Sequence, residues 1–101
     1  MTDPQQLSGT LLEESCLTLE QFVRVCAVSR EWVVYRVEEG LLSAHGAVVT
    51  EWRFSSYDLR RARRMHALER DFDAVPELAA LMADLQEEVA RLRERLAHAG
   101  R

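Results

Sequence analysis

The first regular pattern along the chain is a helical repeat of hydrophobic positions that follows Thr18. Thr18 and Gln21 have the spacing of a capping box, in which each side chain bonds to the backbone N–H of the other residue. The pattern therefore predicts a first helix that begins directly after Thr18. The segment TLLEES, residues 10–15, is predicted to form a short edge strand before it. The apolar side chains at i, i+3, i+4 and i+7 form one helical face: Leu19, Phe22, Val23 and Cys26.

A second helix is predicted from Ser29, after a tight turn at Ala27 and Val28. Serine is a favoured N-cap residue. Gly40 suits the position just after a helix, where glycine adopts a positive φ without a steric penalty. The side chains that we expect in or beside the core are Val33, Val37, Trp32, Tyr35, Leu41 and Leu42.

The segment SAHGAVVTEWRFSS, residues 43–56, has short apolar runs and an alternation around Arg53 that are typical of a β-hairpin. Ser55 or Ser56 is then predicted to cap a third helix, and Asp58 completes a capping box with Ser55. The apolar positions of this helix are expected to be buried: Leu59, Ala62, Met65, Leu68 and Phe72. Its other side carries Arg60, Arg61, Arg63, Arg64 and Arg70.

A heptad repeat surrounds and follows Pro76, a residue that suits the first turn of a helix. Its hydrophobic residues step by three and four positions from Val75 onwards, as in the seam of a coiled coil. Glu88 and Arg93 could pair across a parallel coil, whereas an antiparallel coil would form other pairs, and both orientations stay open. The repeat predicts a homodimer, and the alternative is a stripe that packs on its own domain. The predicted dimer contacts are Leu78, Met82, Leu85, Val89, Leu92 and Leu96.

Composition narrows the class of protein. Of the 101 residues, 48% are hydrophobic and 30% are charged, which is typical of a globular protein. No apolar run approaches the roughly 20 residues of a membrane-spanning helix. The N-terminal stretch lacks the basic start and the apolar core of a secretory signal. We therefore expect a cytoplasmic protein without a membrane segment.

The charge is distributed unevenly along the chain. Residues 1–56 contain eight acidic residues and four arginines, whereas residues 57–101 contain nine of each. DNA affinity depends largely on neutralising phosphates, so the acidity of the first half argues against DNA binding. The arginine-rich third helix is the feature that favours nucleic acid. The alternative is a solvated face balanced by nearby carboxylates, namely Asp58, Glu69 and Asp71.

No motif in the sequence indicates catalysis, a metal or a cofactor. Cys16 and Cys26 lie ten residues apart, outside any CxxC pair and without histidines at zinc spacing, so we expect two reduced thiols in or near a core. His45, His66 and His98 are dispersed, and the chain has no glycine-rich phosphate loop. We expect no enzyme activity and no bound cofactor.

The order of helix, tight turn, helix, wing, helix and coil resembles the MerR-type winged helix-turn-helix family. The family pattern GVS..LRYYE..GLL is matched here by AVSREWVVYRVEEGLL. The family's turn glycine is Ala27, which costs about 1 kcal/mol if its φ is positive. Its phosphate-contacting arginine corresponds to Val34, and its other basic positions to Glu31 and the pair Glu38 and Glu39.

Nearly the whole chain is similar to the chaperone modulator CbpM family, in its layout and on the segments CLTLEQFV, EWRF and LMADLQEEVARLRERL. This resemblance implies a mainly α fold, with a winged helix-turn-helix domain over residues 1–72, a small β-hairpin wing, and a coiled-coil dimerisation helix over residues 73–101. It also implies a protein that binds the J-domain of the DnaJ-like co-chaperone CbpA and blocks its work with the Hsp70 chaperone DnaK.

The resemblance and the acidic second helix together suggest where a partner binds. We hypothesise that a basic partner surface contacts the acidic and partly apolar face formed by Glu31, Val34, Glu38 and Glu39. The first helix and the wing are the alternative contact surfaces. The alternative function is that of a MerR-like DNA-binding transcriptional regulator.

Overall fold

The computed structural model describes residues 17–100. The strand predicted at residues 10–15 and the thiol of Cys16 lie outside the described residues. The structure confirms the mainly helical fold with a helix-turn-helix, a small wing and a long last helix. Its elements are β1 (Leu17–Thr18), α1 (Leu19–Cys26), α2 (Arg30–Glu38), a 3-10 turn (Val49–Glu51), β2 (Arg53–Phe54), α3 (Ser56–Phe72) and α4 (Pro76–Ala99).

The described residues form two compact units, which divide between Arg63 and Arg64. The division into residues 1–72 and 73–101 stays a prediction. None of the helices among residues 17–100 has both the length and the apolar character that crossing a membrane requires.

Side-chain caps begin the first three helices, as the sequence predicts. The Thr18 hydroxyl accepts a hydrogen bond from the Gln21 backbone at 3.2 Å, and the Gln21 side chain accepts one from the Thr18 backbone at 2.9 Å. The Ser29 hydroxyl caps α2 by accepting from the backbone N–H of Trp32 at 3.0 Å. At the start of α3, the buried Asp58 carboxylate accepts from both the backbone and the hydroxyl of Ser55 at 2.9 Å. Each cap satisfies donors that a helix start leaves without partners.

The turn between α1 and α2 requires a left-handed residue. Ala27 has φ 59° and ψ 44°, and its backbone N–H donates to the Arg24 carbonyl at 3.3 Å. The backbone N–H of Val28 donates to the Val23 carbonyl at 3.3 Å, which closes the end of α1. An alanine in this conformation carries a steric penalty of about 1 kcal/mol that a glycine lacks.

The wing, defined as residues 45–53, is held by one antiparallel bridge. His45 and Arg53 exchange two backbone hydrogen bonds of 2.9 and 2.8 Å. The predicted hairpin is therefore short, and its second strand also pairs with β1, where Leu17 lies opposite Phe54. Gly46 has φ 131°, and a Cβ there would lie 2.6 Å from the Glu51 carbonyl oxygen. Only glycine fits this close approach, so Gly46 fixes the path of the wing.

The core of the first unit joins α1 to the wing. The rings of Phe22 and Phe54 are stacked with centroids 4.1 Å apart, and Trp52 meets Phe54 edge-on at 6.3 Å. Most of the predicted core positions are confirmed, because the buried side chains of this unit include Leu19, Phe22, Cys26, Val33, Leu42 and Ala62. Val37 and Leu41 are half-buried beside them.

The second unit contains the end of α3 and all of α4. Met65 and Leu68 of α3 are buried as predicted. The prediction for Phe72 is wrong, because 65% of this side chain is exposed. Phe72 is the last residue of α3, and Asp73 then adopts φ 54°, so the chain leaves the helix before this face can be covered. The buried side chains of α4 are Ala79, Ala80 and Ala83.

The left-handed turn gives a stability prediction. Ala27→Gly is expected to raise the free energy of unfolding by up to about 1 kcal/mol, because the strain at φ 59° is relieved. The larger chain entropy of glycine in the unfolded state offsets part of this gain. Ala90→Gly, the same change at an exposed position inside α4, is expected to lower it by about 1 kcal/mol. Urea unfolding followed by circular dichroism measures both, and destabilisation by both substitutions would contradict the assignment of strain to the turn.

Candidate functional site

The second helix has one face in the core and one face in solvent. Val33 is fully buried, and Trp32, Val34 and Val37 are half-buried. The exposed side chains are Arg30, Glu31, Tyr35, Glu38 and Glu39. The solvent face of α2 is therefore acidic and carries aromatic and aliphatic area.

Neither arginine of α2 extends freely from that face. Arg36 is only 6% exposed, its guanidinium carbon lies 3.8 Å from the centroid of the Trp32 ring, and it donates to the Trp32 carbonyl at 2.9 Å. Arg30 forms an ion pair with Glu20 at 3.4 Å. A buried guanidinium that stacks on an indole and bonds to the backbone is unavailable to a phosphate.

A shallow groove runs along the exposed face of α2 and is closed on one side by the wing. We call it the α2 groove; its volume is about 390 Å³, and it is lined by Arg30, Glu31, Val34, Tyr35, Glu38 and Val49. Three of the four residues in the predicted binding face therefore line one concave surface. The fourth, Glu39, is exposed at the C-cap of α2 and does not line the groove.

The groove combines an apolar lining with two separate carboxylates and one arginine, Arg30, which pairs with Glu20. Within residues 17–100, neither Glu31 nor Glu38 forms an ion pair. They are seven residues apart on one helix, which separates them by about 10.5 Å along its axis. Val34 and Tyr35 lie between them in the sequence. An apolar strip with charged residues at its rim is typical of a surface that binds another protein.

Sequence reasoning missed three of the residues that line the groove: Arg30, Tyr35 and Val49. The sequence predicts Tyr35 at the flank of the core, but Tyr35 is exposed, and its spacing four residues after Glu31 indicates that both lie on one face of α2. Val49 reaches the groove because the wing folds back from Arg53 to His45, a contact that helical periodicity cannot predict.

Four of the five arginines of α3 contact the protein's own backbone or side chains, and the fifth, Arg60, is exposed. Arg61 donates to the Leu41 carbonyl at 3.0 Å, and Arg63 donates to the Val25 carbonyl at 3.4 Å. Arg64 lies 3.8 Å from Glu87, and Arg70 lies 3.1 Å from Asp71. The predicted balance by carboxylates is thus found for Asp71, whereas Asp58 is buried in its capping box.

The heptad stripe of α4 is largely exposed in the single chain. Leu85 is 58% exposed and Leu96 is 72% exposed, whereas Met82 is half-buried. Leu78, Val89 and Leu92 are also exposed. On the same helix, Glu88 accepts a hydrogen bond from Arg91, and this bond lowers the pKa of the Glu88 carboxyl.

Among the described residues, a further candidate for chemistry is the Cys26 thiol, which is free and buried. Burial raises the pKa of this thiol, and the nearby positive charge of Arg63 offsets only part of that effect. A protonated, buried thiol is a poor nucleophile and a poor metal ligand. Between residues 17 and 100, no cluster of histidine, cysteine and acidic side chains could hold a metal ion.

Comparison with known proteins finds a family model and relatives that match most of the chain. Residues 17–99 match the family model described as MerR HTH family regulatory protein. The chaperone modulatory protein CbpM of Pseudomonas entomophila is 33% identical over 91 residues, which cover 86% of this chain and 84% of that protein. The protein of the same name from Coxiella burnetii is 27% identical over 93 residues, covering 91% of this chain and 88% of its own. No solved structure matches the chain significantly.

The backbone contact of Arg61 gives a prediction about the arginine-rich helix. Arg61→Gln is expected to lower the free energy of unfolding by about 1–3 kcal/mol, because a charged hydrogen bond to the Leu41 carbonyl is lost. Arg60→Gln removes the same charge at an exposed position and is expected to change it by less than about 0.5 kcal/mol. Thermal and urea unfolding test both variants. An equal cost at Arg60 would argue against the structural role of Arg61.

Proposed function

The chain belongs to the MerR helix-turn-helix family and, within it, to the chaperone modulatory proteins CbpM, and from this premise we propose that it binds the J-domain of a DnaJ-like co-chaperone and inhibits that co-chaperone. A chaperone-modulating role follows from the family. The finer proposal is that the partner is a CbpA-type co-chaperone and that its work with the Hsp70 chaperone DnaK is what the binding blocks.

The observation that supports this proposal is the acidic α2 groove. In a helix-turn-helix that binds DNA, the second helix and its surroundings present positive charge to the phosphates. Here Glu31 and Glu38 occupy the exposed side of that helix, and Arg36 is buried against Trp32. Such a surface repels a phosphate backbone and attracts a basic protein surface.

Inhibition would then be steric, because the bound protein covers the J-domain surface that the Hsp70 chaperone needs. A protein seated on the basic surface of a J-domain prevents the Hsp70 chaperone from using the same surface. The mechanism involves no covalent step and no cofactor, and the activity belongs in the cytoplasm with its partner. Electrostatic attraction would accelerate the encounter, and the apolar lining of the groove would slow dissociation.

We also propose that the active form is a homodimer joined through α4. Large apolar side chains are exposed at heptad spacing from Leu78 to Leu96. Contact of such a stripe with water is unfavourable in free energy. A second copy of the same helix covers it with complementary knobs and holes. Both parallel and antiparallel pairings satisfy this argument.

The J-domain proposal is tested by charge reversal in the groove. Glu38→Arg is expected to weaken binding to a purified CbpA-type J-domain about tenfold, mainly through slower association. Glu94→Arg makes the same change in net charge on the exposed C-terminal part of α4 and is expected to leave the affinity within about twofold. Isothermal titration calorimetry measures the affinities, and a low-salt gel shift with duplex DNA serves as the parallel assay. Tight, sequence-specific DNA binding without J-domain binding would refute the proposal.

The dimer proposal is tested on the seam of α4. Leu85→Glu is expected to convert the dimer to a monomer, because a carboxylate replaces an apolar contact at a d position. Ala90→Glu introduces the same charge on an exposed part of α4 outside the seam and should preserve the dimer. Sedimentation equilibrium at several concentrations gives the masses. A wild-type protein that is monomeric throughout, or a Leu85→Glu variant that stays dimeric, would exclude this interface.

A further inference from the structure

We propose that the α2 groove receives a single amphipathic helix, which places one aliphatic side chain between Val34 of α2 and Val49 of the wing. Two basic side chains of that helix, seven residues apart, then pair with Glu31 and Glu38. This inference rests on the proposed function and deepens it, because it names the form of the partner's binding element and assigns a binding role to the wing.

The spacing of the carboxylates favours a helix over an extended peptide. Glu31 and Glu38 are separated by about 10.5 Å along α2, which equals two turns of a partner helix with basic residues at i and i+7. In an extended peptide, three residues span about 10.2 Å, but residues i and i+3 point to opposite faces. Residues that share one face of a strand are spaced by about 6.8 or 13.6 Å, and neither spacing matches.

The described part of the sheet offers only a short edge for an added strand. Within the described residues, β1 and β2 are two residues long, so an extended peptide would gain few main-chain hydrogen bonds there. The α2 groove instead has an apolar lining from Val34, Tyr35 and Val49 and a volume of about 390 Å³. These are the features of a surface that holds the apolar side of an amphipathic helix.

The wall formed by the wing is built before the partner arrives. The close approach of Gly46 to the Glu51 backbone and the two bonds between His45 and Arg53 fix the 3-10 turn that begins at Val49. A preformed wall spares the entropy of ordering a loop during binding. Val49 is half-buried and lines the groove, whereas its neighbour Val48 is 52% exposed and does not. This pair provides a matched comparison within one turn.

The first experiment compares the two valines in binding to the CbpA-type J-domain. Val49→Asp is expected to weaken the affinity about tenfold, since a carboxylate would replace an apolar contact at the centre of the interface. Val48→Asp carries the same charge and is expected to stay within about twofold of wild type. Circular dichroism checks the fold of both variants. If Val49→Asp is misfolded, Val49→Ala is measured instead and should weaken binding more than Val48→Ala.

The second experiment uses two synthetic helical peptides of identical composition. One carries arginines at i and i+7 on either side of a leucine, and the other moves the second arginine to i+9, about 180° around the helix from the first. The i, i+7 peptide is expected to displace the J-domain at a concentration about tenfold lower than the i, i+9 peptide. Glu38→Arg should abolish the difference between them.

The outcomes separate this inference from the proposed function. A wild-type protein that fails to bind the J-domain removes the proposed function itself. Normal J-domain binding that depends on Glu38, combined with equal effects of Val48→Asp and Val49→Asp or equal displacement by the two peptides, overturns only the helix and wing assignment. Preference for the matched peptide and selective loss at Val49 support it.

Discussion

The stacking of Phe22 on Phe54 is the contact on which the candidate site depends. The two rings lie 4.1 Å apart and connect α1 to β2, and β2 carries the wing through the bridge between Arg53 and His45. The wing brings Val49 to the exposed side of α2. Loss of this aromatic contact is expected to loosen the wall that the wing contributes to the α2 groove. A core interaction of the first unit thereby determines the shape of a surface.

The second determinant of the candidate site is the position of the arginine side chains. Arg36 is buried on Trp32, and Arg61 and Arg63 donate to backbone carbonyls of the helix-turn-helix, so three guanidinium groups serve the scaffold. Because a guanidinium has five N–H donors, one arginine side chain can bond to several carbonyl oxygens at once. The carboxylates of Glu31 and Glu38, in contrast, remain on the surface. The sign of the charge on the exposed face therefore depends on which charged side chains bind within the fold, and not only on the net charge of the chain.

Local chemistry was predictable from the sequence, and long-range packing was not. Both capping boxes, the Ser29 cap and the positive φ of Gly40 depend on residues within a few positions, and the structure has them as predicted. The stack of Arg36 on Trp32 is a local exception, because it joins residues four positions apart on α2, and polarity patterns place a guanidinium in solvent. Phe72 has the spacing of a core residue, but its helix ends there. For the candidate site, α2 was predictable and the contribution of the wing was not.

The exposed stripe of α4 and the α2 groove make separate contributions if both proposals hold. The groove sets the intrinsic affinity for one basic helix, and a symmetric dimer presents two identical grooves on one particle. Two grooves raise the apparent affinity only for a partner that offers two binding helices within reach, because the second contact is then intramolecular. A lone J-domain therefore reports the groove by itself. The dimer would raise the apparent affinity only for a co-chaperone that is itself assembled from more than one copy. The property that α4 adds is therefore avidity and not a new contact in the groove.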